Sequence, residues 1–280
     1  MISQLALNSR MPDNDRRWHS SRFVRRTGTP RYKGPVEKII EDAVKEASIY
    51  AKCGADGILV ENMHDIPYIK RKDLSSEIVT MMTRICTEVR KVVLRNMACG
   101  VQILAGCNEE AIAVAKAAGF QFIRAEGFVF SHVADEGFID ASAGTLLRYR
   151  RQVDAEDVLV FADVKKKHSS HAITSDMSLL ETVRAAEFFL ADGIILTGRA
   201  TGEEADAQDL AEVRKCVAAR LPVLIGSGVT LDNVDNYVAA ADALIVGSYF
   251  KTAGRWENAL NADRVQALVE YLKSRQQRQS

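Results

Sequence analysis

The sequence predicts an α/β fold, namely a TIM or (β/α)8 barrel, and three observations support this prediction. From residue 34 onward, short apolar runs alternate with helix-sized amphipathic segments, which is typical of a parallel sheet covered by helices. The runs are apolar without interruption, as in strands that are buried on both faces. The last two runs, VLI at 223–225 and ALIV at 243–246, both end in Gly-Ser. Barrels of this class build a phosphate site from the loops after their last two strands.

Seven strands follow from the apolar runs, at 57–62, 99–104, 120–126, 158–163, 193–197, 223–225 and 243–246. The helical spacing of apolar residues between them predicts helices near 36–47, 78–92, 108–118, 141–152, 178–190, 207–219, 231–238 and 265–272. A longer loop at 127–140 suits a lid over a site. A doubly wound open sheet is the alternative, but no G-x-G-x-x-G motif follows an early strand.

The eighth strand of the barrel is missing from this pattern. It should precede the first helix, where RFVRR at 22–26 is a poor candidate for an interior strand. Residues 1–29 contain six arginines and neither Lys nor Glu, which indicates a disordered tail or, alternatively, a mitochondrial presequence. We therefore predict an Arg-rich segment, 1–29, and a single barrel domain, 30–280, whose first strand is missing or replaced.

The composition limits the classes of function. The 280 residues include 37 Lys and Arg and 37 Asp and Glu, a balance that argues against nucleic acid as a partner. No apolar run approaches the roughly 20 residues of a membrane-spanning helix, so we do not expect a transmembrane protein. The five cysteines are scattered, without a C-x-x-C pair. They indicate reduced thiols and an intracellular protein, either cytoplasmic or mitochondrial.

Phosphate binding is predicted where the last two strands end. Gly226, Ser227 and Gly228 follow one strand, and Gly247 and Ser248 follow the other. Glycine lets the backbone approach an anion closely, and free N–H groups at the start of a following helix attract it. The alternative is a pair of tight turns without a ligand.

Three further positions at strand ends are predicted to contact the substrate, namely Asn62, Thr197 and Gly198. The last two begin the segment TGRATG at 197–202, which offers backbone amides, hydroxyls and the guanidinium of Arg199 to an anion. Two glycines and two threonines are equally typical of an ordinary loop.

Asp163 and Lys165 are predicted to be catalytic. Active sites of barrels lie at the carboxyl ends of the strands, and a spacing of two places both residues on one side if the strand continues. A carboxylate there transfers protons or holds a divalent metal ion, and a lysine binds phosphate, stabilises an enolate or forms a Schiff base. The alternative is a solvated basic loop, because the run KKK occupies 165–167.

Glu61, Glu126 and His168 complete the predicted catalytic set. Each glutamate ends an apolar run, where an unpaired carboxylate is costly to bury. A metal ion, an arginine such as Arg124 or the substrate would compensate, and an internal salt bridge is the alternative. His168 suits proton transfer or substrate contact. A zinc site that joins it to His171 is disfavoured, because this H-x-x-H lies in a Ser-rich loop without a third ligand.

Several stretches resemble the BtpA/SgcQ family, and their combination resembles its animal branch. They are GILVENMHDIPY at 57–68, FVFSHVADEG at 128–137, LRYRR at 147–151, ADVKKKHSS at 162–170, TGRATG at 197–202 and GSGVT at 226–230. The resemblance begins near GTPRYKG at 28–34 and covers most of the chain. It departs at the start, where family members usually have an apolar first strand and a His.

The resemblance implies a ribulose-phosphate-binding type of barrel and no settled reaction. Its cyanobacterial branch is linked to photosystem I accumulation, and its SgcQ branch to sugar metabolism. We expect the chain to bind and transform a phosphorylated sugar or nucleotide-like metabolite by isomerase, lyase or transferase chemistry. The sequence identifies no cofactor, a divalent metal ion being the one candidate, and a homo-oligomer is compatible with the sequence.

Two alternatives stay open at this point. One is a non-catalytic assembly or stability factor for a protein complex, which would need an exposed apolar patch. The one-sided periodicity of the helices shows no such patch. The other is an inactive variant that lacks the first strand.

Overall fold

The computed structural model describes residues 2–7, 29–30, 35–198 and 200–279. Within these ranges the main sheet consists of β1 (Ile2–Leu7), β2 (Gly57–Glu61), β3 (Ala98–Gln102), β4 (Phe122–Ala125), β5 (Leu159–Asp163), β6 (Gly193–Leu196), β7 (Val223–Ile225) and β8 (Ala243–Val246). The α-helices are α1 (Val36–Lys52), α2 (Ser76–Val92), α3 (Asn108–Ala118), α4 (Ala143–Gln152), α5 (Leu179–Phe188), α6 (Ala207–Val217) and α7 (Ala262–Gln279).

The main sheet closes into a barrel. Its strands neighbour one another in chain order, and β8 pairs with β1 to complete the ring. The pairs from β2 through β8 are all parallel. The seven predicted strands and the barrel fold are therefore confirmed.

β1 fills the place of the strand that the sequence pattern lacks. It runs antiparallel to both neighbours, with Leu5 opposite Ile245 of β8 and Ser3 opposite Leu59 of β2. Without it, β2 and β8 would each present an unpaired edge. The expectation of a disordered segment 1–29 is thus wrong for residues 2–7. The part of that expectation that concerns residues 1 and 8–28, including RFVRR, lies outside the described residues.

The interior of the barrel has an apolar layer beneath a charged one. The apolar layer is formed by Leu59, Ala98, Phe122, Phe161, Ile195, Leu224, Ala243 and Ile245. Side chains of a strand return to the same face every second residue, so the next inward positions on β2, β4 and β5 belong to Glu61, Arg124 and Asp163. All three are buried. Strand periodicity therefore brings three charged groups together above an apolar floor.

Two glycines make room for this floor. The rings of Phe122 and Phe161 lie 5.4 Å apart between their centroids. A Cβ at Gly193 would come within 2.5 Å of the Phe161 ring, and one at Gly100 would collide with Phe122. Because the two rings fill the lower part of the barrel, a ligand site can open only above them, at the carboxyl ends of the strands.

The outer core lies between the strands and the helices.

One predicted helix, near 231–238, does not form. The structure has only the short 3-10 turn Val234–Asn236 there. Asn233 accounts for this difference: its side chain accepts from the N–H of Thr230 and donates to the carbonyl of Gly228, both at 2.8 Å. Such local side-chain bonds compete with helical ones.

A small second sheet stands above the barrel. The predicted loop 127–140 contains the strands His132–Ala134 and Gly137–Ile139, and the first of them also pairs with Ser169–Ser170 from the loop after β5. Two adjacent rim loops are thereby fastened together.

In the described part of the chain, the helices are too short or too polar to cross a membrane.

Candidate functional site

A cavity of about 540 Å³ opens at the carboxyl ends of the barrel strands. This volume is typical of small-molecule sites, which measure about 300–1,000 Å³. The charged part of its lining consists of Glu61, Arg124, Glu126, Asp135, Glu136, Asp163, Lys166, Lys167 and His168. Four of the five predicted catalytic residues are therefore brought together, and Lys165 is not.

Arg124 lies at the centre of the charged layer. Its Nε is 3.0 and 3.1 Å from the two carboxylate oxygens of Asp163, and its Nη1 is 3.4 Å from Oε1 of Glu61. Burial disfavours the Arg124 cation, but Asp163 and Glu61 outweigh this effect and keep its pKa above the ordinary value. Burial raises the pKa of Asp163 even though Arg124 opposes it. Asp163 is therefore a better proton acceptor than an exposed aspartate.

Lys166 and Glu126 form a second buried ion pair. The Lys166 Nζ is 2.9 Å from Oε1 of Glu126, and the N–H of Gly106 donates to Oε2 at 3.0 Å. Burial opposes both charges, but the partners dominate: the pKa of Lys166 is raised and that of Glu126 is lowered. Lys166 is thus a fixed ammonium that stabilises negative charge, and its protonation disfavours Schiff-base formation.

The structure corrects the prediction for Lys165. β5 ends at Asp163, and Lys165 has a φ of 48°, so the alternation of a strand no longer applies. Its Nζ donates to the carbonyls of Thr174 and Met177 at 3.2 and 2.8 Å. Lys165 fastens the following loop, and its neighbour Lys166 carries the ammonium in the cavity.

The two Gly-Ser turns face the same cavity. Gly226, Ser227, Gly228, Gly247 and Ser248 all line it, and the strands that precede them, β7 and β8, are neighbours in the ring. Both turns therefore border one space, and the shared anion site stays a prediction.

The backbone of Glu203 packs against the first of these turns. The Ser227 hydroxyl donates to the Glu203 carbonyl at 3.0 Å and accepts from the N–H of Gly198 at 2.8 Å. Gly228 has a φ of 72°, and a Cβ there would collide with the Glu203 backbone. An anion at this turn must therefore compete with a carbonyl oxygen for the Ser227 hydroxyl.

Asn62, Thr197 and Gly198 lie outside the lining of this cavity. The Asn62 side chain accepts from the N–H of Leu104 at 2.8 Å, and the Thr197 hydroxyl accepts from the N–H of Lys167 at 3.1 Å. Gly198 bonds to Ser227, as described above. In the structure these three residues connect rim loops, because each one's polar group is directed to a neighbouring backbone or side chain.

His168 connects three loops across the mouth of the cavity. Its Nε2 accepts from the N–H of Thr201 at 3.2 Å and lies 2.9 Å from the Thr201 hydroxyl, and its Nδ1 is 4.0 Å from a carboxylate oxygen of Asp135. Burial, together with the neighbouring Lys167, lowers the pKa of His168. The neutral imidazole therefore acts as the acceptor that anchors the loop after β6.

The described residues contain no group of three His, Cys, Asp or Glu side chains arranged to hold a metal ion. His171 instead lies 3.1 Å through its Nε2 from the carbonyl of Lys166, and its ring is 5.4 Å from that of His132. Burial, aided by Lys166, lowers the pKa of His132 to about 4. The two histidines of the H-x-x-H motif, His168 and His171, thus make contacts in the rim loops around Lys166.

Sequence reasoning missed two features of the lining. The first is Lys166, which the run of three lysines could not distinguish from its neighbours. The second is an apolar wall, which consists of Met63, Ile66, Pro67, Tyr68 and Trp256. These residues lie in irregular loops after β2 and β8, where no hydrophobic period marks them.

Solved structures share the fold at low sequence identity. A ligand complex of KGPDC from Streptococcus mutans aligns with a TM-score of 0.55 and 10% identity, over 84% of this chain and 93% of that one. Orotidine 5'-monophosphate decarboxylase from Methanocaldococcus jannaschii gives 0.53 and 14%, over 83% and 93%. Thiamine phosphate pyrophosphorylase from Pyrococcus furiosus gives 0.52 and 15%, over 87% and 92%. At these identities the likeness supports the barrel fold alone.

Sequence relatives are much closer. A mitochondrial protein of Caenorhabditis elegans, described as uncharacterised, is 46% identical over 248 residues, 88% of each chain. The photosystem I biogenesis protein BtpA of Synechocystis is 36% identical over 240 residues, 86% of this chain and 82% of its own. The family model described as BtpA family matches residues 25–274. The resemblance seen in the sequence is therefore confirmed, and the chain belongs to the BtpA family.

Proposed function

We propose that this protein binds a phosphorylated metabolite at the turns after β7 and β8 and transforms it with the charged layer beside them. One observation carries the proposal: a single cavity is lined by both Gly-Ser turns and by two buried ion pairs, Arg124–Asp163 and Lys166–Glu126. Backbone groups for an anion and fixed charges for a reaction are thus within one site.

The charges suit proton transfer next to a carbonyl group. Asp163, with its raised pKa, accepts the proton from the carbon atom next to the carbonyl group. Arg124 and Lys166 keep their positive charges and stabilise the negative charge that develops on the carbonyl oxygen, and such fixed electrostatic stabilisation is often the largest catalytic effect. Isomerase and lyase reactions that pass through an enolate use these steps.

The names of neighbouring structures support the phosphate part of the proposal. Thiamine phosphate pyrophosphorylase and orotidine 5'-monophosphate decarboxylase act on phosphate esters according to their names, and both have this barrel fold. The fold has therefore been used with phosphorylated ligands, while the chemistry assigned here rests on this chain's own residues.

Thermal unfolding with a panel of phosphate esters tests the proposal. Sugar phosphates and nucleoside monophosphates are added one at a time, and a ligand that binds the native state must raise the Tm. At a concentration of about 100 times the Kd we expect a rise of about 5–10 °C. The variant Ser248→Asp places a negative charge in the second turn and should abolish the rise.

Ser175→Asp is the matched control, because Ser175 is exposed and does not line the cavity. It should keep the ligand-induced rise in Tm. If no ester in the panel raises the Tm, or if Ser248→Asp responds as the wild-type protein does, the phosphate site is in error.

A non-catalytic assembly factor is the second candidate, and one observation favours it. Phe188, Phe189 and Leu190, at the end of α5, are 80%, 47% and 68% exposed. The expectation that no apolar patch is exposed is therefore wrong, and such patches mark contact sites of proteins. The Synechocystis relative is named for photosystem I biogenesis. Failure of the ligand titration would favour this candidate.

A further inference from the structure

The apolar wall of the cavity comes from two loops that meet above β1. Met63, Ile66, Pro67 and Tyr68 follow β2, and Trp256 follows β8. β2 and β8 flank β1 in the ring, so their loops are neighbours on one side of the mouth. None of the five residues of the wall carries a charge.

Local contacts hold the wall in place. The Tyr68 hydroxyl donates to the carbonyl of Met63 at 2.7 Å. The Trp256 ring lies 5.2 Å from the buried imidazole of His64 between centroids, at an angle of 43°. A wall fixed in this way can receive a ligand with little reordering of its own side chains.

A sugar phosphate alone complements this wall less well than a ligand that carries an aromatic ring. Sugar hydroxyls placed against apolar side chains lose hydrogen bonds to water without regaining them, which is unfavourable. A flat aromatic ring is favoured there instead, because it buries apolar surface and stacks on aromatic side chains such as Trp256. The wall therefore selects for a ring rather than for further hydroxyl groups.

The other sides of the cavity suit the remaining parts of such a ligand. The Gly-Ser turns at Ser227 and Ser248 suit its phosphate. Gln102, Glu61 and Arg124 offer hydrogen bonds to a polyhydroxyl part. Building on the phosphate site of the function proposed above, we propose that the ligand is of the nucleoside 5'-monophosphate class, with its base against Tyr68 and Trp256. The inference rests on that phosphate site and not on the proton transfer, because the closed ribose of a nucleotide has no carbonyl group.

Tryptophan fluorescence tests this inference directly. The chain has two tryptophans, so Trp18→Phe leaves Trp256 as the only fluorophore of its kind. This full-length variant is titrated with the 5'-monophosphates of adenosine, guanosine, cytidine and uridine, and with ribose 5-phosphate. We expect saturable quenching by at least one nucleotide, which should bind about tenfold more tightly than ribose 5-phosphate, since stacking of one base contributes about that much or more.

Variants of the wall separate stacking from folding. With calorimetry as the readout, Trp256→Ala should weaken nucleotide binding about tenfold and leave ribose 5-phosphate binding unchanged. Trp256→Phe should retain most of the affinity. Phe188→Ala is the control, because this exposed ring lies outside the cavity lining and should alter neither affinity.

The outcomes distinguish the two proposals. If ribose 5-phosphate and the nucleotides bind equally and Trp256→Ala has no effect, the ring inference is overturned and the phosphate site stands. If ribose 5-phosphate binds and none of the nucleotides does, the inference about the aromatic ring is likewise overturned and the phosphate site stands. If no phosphate ester binds at all, both the inference and the function on which it rests are overturned.

Discussion

At the scale of single residues, two adjacent lysines have different tasks. Lys166 is buried and paired with Glu126, whereas Lys165 bonds to loop carbonyls outside the cavity lining. The backbone decides between them, because the positive φ of Lys165 turns its side chain away from the inward direction that a continued strand would give. The neighbouring pair therefore offers an internal control for the site.

Lys166→Met should destabilise the protein and abolish ligand binding. Removing one partner of a buried ion pair leaves the other charge uncompensated, at a cost of about 3–5 kcal/mol, here on Glu126. The double variant Lys166→Met/Glu126→Gln removes both charges, so most of the free energy of unfolding should return while ligand binding stays lost. Denaturant unfolding and the ligand-induced rise in Tm measure the two effects separately.

Lys165→Met is the matched control for this prediction. It loses two hydrogen bonds to carbonyls and should cost about 1–3 kcal/mol while keeping the ligand-induced rise in Tm. Retention of ligand binding by Lys166→Met/Glu126→Gln, or its loss in Lys165→Met, would show that the structure assigns the wrong lysine to the cavity.

At the scale of elements, the loops after β4 and β5 are joined by paired strands, whereas the loops after β5 and β6 are joined by side chains. His168 reaches from the loop after β5 to Thr201 in the loop after β6. The same second loop lies over the turn at Ser227 through the Glu203 carbonyl. We therefore expect access of a ligand to this turn to depend on the contact between His168 and Thr201.

Acidification should release the loop after β6. Nε2 of His168 accepts from Thr201 only while the imidazole is neutral, and burial and Lys167 lower its pKa in the folded protein. The stabilisation is therefore fully present above the unfolded pKa of about 6.5 and is lost as the pH falls through the lower folded value. Hydrogen exchange of peptides spanning 200–206, corrected for intrinsic rates, should accelerate at pH 5 relative to pH 7.5.

His168→Asn provides the control for this pH effect. Asparagine tolerates the φ of 54° at this position better than most residues do, and it does not titrate. Its corrected exchange rates should be the same at both pH values. Equal pH dependence in the wild-type protein and the variant would rule out His168 as the group responsible.

Elements were predicted from the sequence with uneven success. The seven parallel strands and most helices follow from apolar periodicity, because burial against a sheet imposes that periodicity directly. The segment near 231–238 has the same periodicity but forms only a 3-10 turn, since Asn233 bonds to the local backbone. The strand Ile2–Leu7 is absent from the prediction, because the Arg-rich residues that follow it dominate the composition of the segment.

At the scale of the whole molecule, closure of the barrel depends on β1. Four residue pairs join β1 to β8 and three join it to β2. All of them are antiparallel, whereas the pairs among the remaining barrel strands are parallel. The alternative of an inactive variant without a first strand therefore becomes a question about how much β1 contributes to the stability of the barrel.

Deleting residues 1–8 should open the ring and lower the Tm by more than about 10 °C. The deletion leaves unpaired backbone groups on β2 and β8, at a net cost of about 1 kcal/mol for each hydrogen bond lost. A loss of 1 kcal/mol lowers the Tm of a domain of this size by about 2–4 °C. Calorimetric melting of the full and shortened chains measures the difference, and an unchanged, equally cooperative transition would show that β1 does not close the barrel.

The sequence by itself determined the barrel, the end of it that bears the candidate site, and the positions of Glu61, Asp163 and the two Gly-Ser turns. These features are local, since the periodicity and the ends of a strand depend on residues that are consecutive in the chain. Only the tertiary structure decided that Lys166 rather than Lys165 enters the cavity, that Ile2–Leu7 completes the ring, and that Trp256 belongs to an apolar wall. Each of these depends on contacts between segments far apart in the chain, which the spacing of neighbouring residues does not encode.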